Sequence, residues 1–383
     1  MSRNASITEL YHRRAVRYNC VMPAAAVPVA PAFSAVATAV ARAGGWIPFD
    51  RYLEIALHDP RAGFYGGGRA RFGADGDFIT APDISPLFAE ILAAQAAQIL
   101  RETGGDLLEL GAGNGNLSAS LARLLRGKIR RHYILETSAA LRSRQKETLR
   151  GENISWLSSL PESFRGIVVA NEVLDAVPFC LHQKENGEWR ARGVAMADGV
   201  LRWQNRPAAR DEIVRRLEEM NLPDGYITET NPRAEALTKT LCEMLRRGAI
   251  LISDYGFGRG EYYHPQRAAG TMMCHRAQRA DGDPLESPGD KDITAHLDFT
   301  AIADAGMEGG ATLAGYATQA RFLLNCGIAE TLEKESRTRG GLEYAKLAAG
   351  AQKLLAPHET GELFKFIAFA KDLPPPLIGF KEG

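Results

Sequence analysis

From residue 106 onward the chain repeats one rhythm, a short apolar run, a turn and a helical stretch. Leu107-Leu108-Glu109-Leu110 reads as a strand and Leu117 to Leu125 as a helix. Tyr133-Ile134-Leu135 follows as a second strand, with a helix over about 138–150. Ile154-Ser155-Trp156-Leu157, Gly166 to Ala170 and Ala249 to Ser253 continue the series. Such alternation predicts an α/β fold: a parallel sheet covered by helices on both faces, with right-handed connections.

The interval 179–248 breaks this rhythm. Asn186-Gly187 and Asp198-Gly199 each sit between strand-like runs and predict hairpin turns, while 209–220 and 232–247 look helical. We read 179–248 as an inserted hairpin-and-helix region covering one edge of a site, between core segments 105–178 and 249–371. Ahead of the core, 33–104 reads as a helical and Gly-rich lid region. Phe33, Val36, Ala37, Val40 and Ala41 share one helix face, as do Phe49, Tyr52, Leu53, Ala56 and Leu57. Ser85-Pro86 suits a helix start, serine at the N-cap and proline at the first turn. After 254 a polar loop is expected to about 290, then an alternating strand from Ile293 to Phe299 and a last strand from Leu363 to Phe369.

Residues 1–32 read as a flexible tail. Arg13, Arg14 and Arg17 precede an uncharged run from Tyr18 to Ala41, which has the outline of a targeting segment. The run is interrupted by Pro23, Pro28 and Pro31 and contains no Leu or Ile, which argues against a membrane span. Met22 is an alternative start.

Lys+Arg and Asp+Glu are both 46, so the net charge is zero, where a grip on nucleic acid calls for a basic excess. The five cysteines (Cys20, Cys180, Cys242, Cys274 and Cys326) are scattered without a C-x-x-C pair. That is neither a disulfide framework nor a zinc ribbon and suits a reducing compartment. His264, Cys274 and His275 match no zinc spacing, so no metal is expected.

The most informative motif is Glu109-Leu110-Gly111-Ala112-Gly113-Asn114-Gly115-Asn116, between a strand and a helix. Glycines let the backbone turn sharply and approach a ligand, and the helix N-terminus offers free N–H groups. The dinucleotide fingerprint requires a third glycine three positions after the second, where this chain has Asn116. A carboxylate at Glu109 repels a pyrophosphate but suits the ammonium of an amino acid head. Glu136 ends the next strand, placed to accept from both ribose hydroxyls. Together these point to S-adenosyl-L-methionine; a dinucleotide and a plain structural turn are the alternatives.

Several separated blocks resemble the MidA-like family of S-adenosylmethionine-dependent methyltransferases. They are Gly63-Phe64-Tyr65, Gly76-Asp77-Phe78-Ile79-Thr80-Ala81-Pro82-Asp83-Ile84-Ser85, Glu109 to Gly115, Asn171-Glu172-Val173-Leu174-Asp175-Ala176-Val177-Pro178, Asp254-Tyr255-Gly256 and Thr294-Ala295-His296-Leu297-Asp298-Phe299. Asp83 stands where Glu is expected in many relatives, and Ala112 where Pro is common. The resemblance covers nearly all of the chain from about residue 33. It implies a seven-stranded Rossmann-like core and methylation of an arginine on a protein partner such as a respiratory complex I subunit. It also implies a bacterial cytoplasmic location, or the mitochondrial matrix if 1–32 is a transit peptide.

An arginine acceptor brings a permanent positive charge beside a sulfonium, so its site calls for carboxylates that align the planar fork. Glu172 and Asp175 follow a strand end at i, i+3 spacing and are the expected acceptor acids. Thr294, His296 and Asp298 share one face of the expected late strand, and a His296–Asp298 pair would relay a proton or fix a loop. Asp254 and Tyr255 end the fifth strand and are expected to line the same crevice. Gly111, Gly113, Gly115, Asn116, Glu136 and Asn171 are candidate cofactor contacts with Glu109, and Asp77 and Thr80 are expected to close over the cofactor. Trp156 is either a core residue or an adenine neighbour. The competing functions are an assembly factor that binds the cofactor with little turnover and an NAD-dependent oxidoreductase.

Overall fold

The computed structural model describes residues 30–73, 76–77, 79–276, 279–374 and 376–381. The tail and targeting expectations for 1–32 therefore lie almost wholly outside the described residues, as does Phe78 of the lid block. The core strands are β1 (Asp106–Leu110), β2 (His132–Leu135), β3 (Ile154–Leu157), β4 (Phe164–Asn171), β5 (Leu245–Phe257), β6 (Thr312–Thr318) and β7 (Phe364–Lys371). They lie side by side in the order β6-β7-β5-β4-β1-β2-β3, and a two-residue strand, Leu297–Asp298, pairs with the end of β5. β1 to β5 run parallel, whereas β7 is antiparallel to both of its neighbours. The order reverses between β1 and β4, so loops leaving their C-terminal ends diverge and open a crevice there.

Burial follows from composition. Every residue of β1 is buried, and β4 carries Ile167, Val168, Val169 and Ala170 with both faces covered. Helix Pro86–Thr103 packs one face through Phe88, Ile91, Leu92 and Ile99. Ser85 caps it by accepting from the Leu87 N–H at 3.3 Å. On the other face Leu241 of helix Pro232–Met244 and Ile302 of helix Phe299–Glu308 pack against Val168, Ile250 and Ile367.

The two expected hairpins form, with positive φ at Asn186, Gly187, Asp198 and Gly199. They build a five-stranded antiparallel sheet, and one of its strands is Trp46–Pro48 from the N-terminal region. Helix Phe49–His58 lies against this sheet, burying Phe49, Tyr52, Leu53 and Leu57 with Phe179, Leu181 and Val194. The N-terminal residues and the inserted hairpins thus share one apolar core.

Two expectations are corrected. Residues 254–290 are not a plain loop: Met273–Arg276 pairs with both Arg279–Asp281 and Asp292–Thr294 in a three-stranded sheet. Nor do residues 293–299 form one strand. The strand ends at Thr294, and Asp298 caps helix Phe299–Glu308 by accepting from the Thr300 and Ala301 N–H groups at 3.0 and 3.2 Å. Alternating polarity failed as a guide because the chain breaks after Thr294, and Asp298, paired only briefly with the end of β5, serves as a helix cap.

Candidate active site

A cavity of about 1230 Å³ opens at the crevice between β1 and β4. Its floor is the glycine turn. Gly111 and Gly113 adopt φ of 58° and 53°, a region that favours glycine. A Cβ on Gly113 would come within 3.0 Å of the Phe72 ring, so the turn needs bare backbone where the lid meets it.

Two acids end the adjacent strands and face this cavity. Glu109 is buried, takes a hydrogen bond from the Ser118 hydroxyl and has its carboxyl pushed up to about 7 by burial. Glu136 accepts from the Ser138 N–H at 2.8 Å and the Gln145 amide at 3.0 Å, and burial raises its pKa. Glu109 can meet an ammonium, and Glu136 keeps lone pairs for hydroxyl donors.

Across the cavity stand the acids that follow β4. Glu172 has φ of 53°, uncommon for a residue with a side chain and characteristic of functional sites. Its Oε1 accepts from the Ala81 N–H at 3.2 Å and the Asn171 amide at 3.1 Å. Burial, with the charge of Asp175 beside it, raises Glu172 to about 8. Asp175 accepts from the Tyr255 hydroxyl at 2.5 Å, while its other oxygen is buried without a partner among the described residues. Burial raises Asp175 to about 6. Behind them Asp254, fully buried, accepts from the N–H groups of Leu174, Asp175 and Tyr255 at 3.0–3.2 Å and so fixes the turn that carries the acids. Burial and the charges of Asp175 and Glu172 raise its pKa well above the ordinary range.

Asp292 completes the ring from the third sheet. It accepts from the Tyr65 hydroxyl at 2.7 Å, and burial, with Asp175 adding like charge, pushes it to about 7. Tyr65 in turn stacks on His58 at 5.9 Å. Among the described residues, Glu172, Asp175, Asp254 and Asp292 have no Lys or Arg at ion-pair distance. Buried carboxyls without counter-ions are costly unless protonated or met by a cationic ligand.

The cavity therefore brings together Asp77, Thr80, Glu109, Gly111, Gly113, Glu136, Asn171, Glu172, Asp175 and His296 of the expected residues. Gly115 is instead the buried start of helix Asn116–Leu124, and Asn116 turns its side chain to Asp83 at 2.9 Å. Asp298 does not line the cavity; it caps its helix and lies 3.4 Å from Arg259, so the His296–Asp298 relay does not form. His296 rests against the Tyr255 and Phe257 rings and is lowered to about 4 by burial, with Arg267 and Lys365 adding to the effect. Trp156 is not among the residues that line the cavity; it donates to Gln145 at 2.9 Å. Tyr65 and Asp292 were not singled out as site residues from sequence. Tyr65 sat in a quoted block, whereas a lone acid such as Asp292 gives no local signal.

A strand-order reversal, a glycine turn and acids at the ends of β1 and β2 define a nucleoside-binding methyltransferase site, and the observed residues fit S-adenosyl-L-methionine. Residues 91–317 match a family model described as S-adenosyl-L-methionine-dependent methyltransferase. The chain belongs to that MidA-like family of S-adenosyl-L-methionine-dependent methyltransferases. It is 44% identical to a COG1565 superfamily member from Burkholderia thailandensis solved with S-adenosyl-homocysteine, with a TM-score of 0.87 over 92% of this chain and 95% of that one. It is also 28% identical to the mitochondrial protein arginine methyltransferase NDUFAF7 of Danio rerio, over 85% of this chain and 84% of the relative. The Drosophila melanogaster homologue is again 28% identical, covering 85% and 81%.

Proposed function

We propose that this chain transfers a methyl group from S-adenosyl-L-methionine to an arginine side chain of a protein. The observation that carries the proposal is the acid group of half-buried Glu172 and buried Asp175 and Asp292, which faces the cofactor cavity with no Lys or Arg at ion-pair distance among the described residues. The names of the animal relatives point the same way. In this reading Glu109 holds the ammonium, Glu136 the ribose hydroxyls and the backbone of Gly111 and Gly113 the space between them. Asp77, Thr80 and Asn171 border the cofactor. When bound, the cofactor supplies an electrophilic methyl group on a cationic sulfur.

The chain's own residues then perform orientation and proton handling. Two acids at i, i+3 align a planar guanidinium through paired hydrogen bonds. Holding the acceptor nitrogen in line supplies much of the acceleration in such a displacement. Methylated guanidinium sheds a proton, and Glu172, with its carboxyl near 8, is suited to hold one at that nitrogen.

Incubation with labelled donor and a protein extract, followed by digestion and mass spectrometry, should reveal methylarginine. Glu172→Ala should abolish transfer while S-adenosylhomocysteine still binds; full activity in that variant would overturn the acceptor assignment. A respiratory complex I subunit, the partner the resemblance implies, is the first defined substrate to try. The animal relatives are named mitochondrial, which supports a mitochondrial location; sequencing the mature N-terminus tests whether a targeting segment is removed. Among the described residues no helix is long and apolar enough to cross a membrane.

A further inference from the structure

We propose that Asp83 is a positioning residue that couples the glycine turn to the placement of Glu172, so that cofactor binding stiffens the acceptor site. This deepens the reading above and rests on its placing Glu172 at the acceptor.

The connection is continuous. Asn114 lines the cavity, and its side-chain oxygen holds the Asn116 N–H at 3.0 Å. The side-chain amides of Asn116 and Asn114 both donate to Asp83 Oδ1, at 2.9 and 3.4 Å. Asp83 Oδ2 accepts from the Thr80 hydroxyl at 3.1 Å, and the Asp83 and Ile84 N–H groups return to the Thr80 carbonyl at 2.9 and 3.1 Å. This clamps the single helical turn Ala81–Ile84, whose first N–H, that of Ala81, donates to Glu172 Oε1. Asp83 thus has the glycine turn on one side and the support of Glu172 on the other.

The sequence separation makes the link consequential. Thr80 to Ile84 belong to the lid region, the turn to the β1 exit and Glu172 to the β4 exit. The hydrogen bonds of the Asp83 side chain and the Ala81 N–H run through all three. Glu172 occupies a left-handed backbone position, which persists where surrounding contacts over-determine it. A ligand seated on Gly111 to Asn114 restrains the two asparagines, and through Asp83 it restrains the helical turn that holds Glu172. The cofactor then stiffens an alignment of the acceptor carboxylate that the ligand-free chain already makes.

Hydrogen–deuterium exchange of the full chain, with and without saturating S-adenosylhomocysteine, tests this. In the wild type the ligand should slow exchange at Ala81, Asp83 and Ile84 about tenfold, the equivalent of one hydrogen bond to a charged group. Asp83→Ala should still bind the ligand and protect residues 111–117, but the ligand-dependent slowing at 81–84 should vanish. Asn116→Ala, which leaves Asp83 intact and only the longer 3.4 Å bond from Asn114, should reduce the ligand-dependent slowing at 81–84. A merely structural role would speed exchange equally in both states and leave the ligand-dependent ratio unchanged; that result would overturn the proposal. So would a wild-type chain in which the ligand protects 111–117 and leaves 81–84 unaffected. The measurement needs no acceptor, so its failure is distinct from absence of methylarginine.

Discussion

Glu172→Gln separates the pH dependence of this site from that of the remaining fold. In the folded chain burial and the neighbouring Asp175 charge hold the Glu172 proton to about pH 8, whereas its ordinary value is 4.5. Between these values the native state binds a proton that the unfolded chain has released, so stability from this group is full at low pH and falls as pH rises. Each pH unit in that window is worth about 1.4 kcal/mol. From pH 5.5 to 7.5 the ligand-free wild type should therefore lose roughly 3 kcal/mol through Glu172 alone. Glutamine retains an oxygen for the Ala81 N–H and the Asn171 amide and cannot ionise. Asp175, Asp292 and Glu109 titrate in both proteins and largely cancel in the difference. Urea unfolding at the two pH values, followed by tryptophan fluorescence, should show the wild type weakening while the variant changes by roughly 3 kcal/mol less. Superimposable pH profiles would refute the claim that Glu172 is a desolvated acid with no counter-charge at ion-pair distance.

The cofactor side is tested by Glu109→Gln, which should weaken S-adenosylhomocysteine at least about tenfold by calorimetry, the scale of one charge-assisted hydrogen bond. Because burial holds Glu109 near 7, wild-type affinity should also rise between pH 6 and 8 and that rise should be absent in the variant. Asp254→Ala leaves the N–H groups of Leu174, Asp175 and Tyr255 without their buried acceptor and should cost about 3 kcal/mol of unfolding free energy; a loss below about 1 kcal/mol would refute the clamp.

The strands that position the site were legible because their burial leaves a mark in composition. β1 is buried on both faces and β4 is apolar through Ile167-Val168-Val169-Ala170, a run with few other uses. Glu109 and Glu136 were legible for a related reason: an acid ending an apolar strand next to a glycine turn stands out. Asp298 misled because an acid in an alternating segment fits a strand face as well as an N-cap, and only the tertiary break after Thr294 decides. Sequence reasoning could not find Asp292 opposite Asp175. The pairing of Met273–Arg276 with Asp292–Thr294 brings it there, and nothing local encodes that pairing. Likewise the strand Trp46–Pro48 is too short to register by itself and exists because the strand Glu188–Ala197 offers it pairing.

The number of acids is itself an argument about the acceptor. Two unit positive charges about 4 Å apart repel by about 4 kcal/mol at an effective dielectric of 20, so a guanidinium cannot sit beside a sulfonium without negative charge close by. One carboxylate could align the acceptor but would leave that repulsion mostly uncompensated. Glu172 and Asp175 supply two, and Asp292 approaches from the far wall with its own hydroxyl donor, Tyr65. A neutral acceptor would face the opposite difficulty, since these buried acids would then keep their protons and lose the charge that orients a donor. The raised carboxyl values of the ligand-free chain are therefore what a site for a cationic acceptor should show before that acceptor arrives.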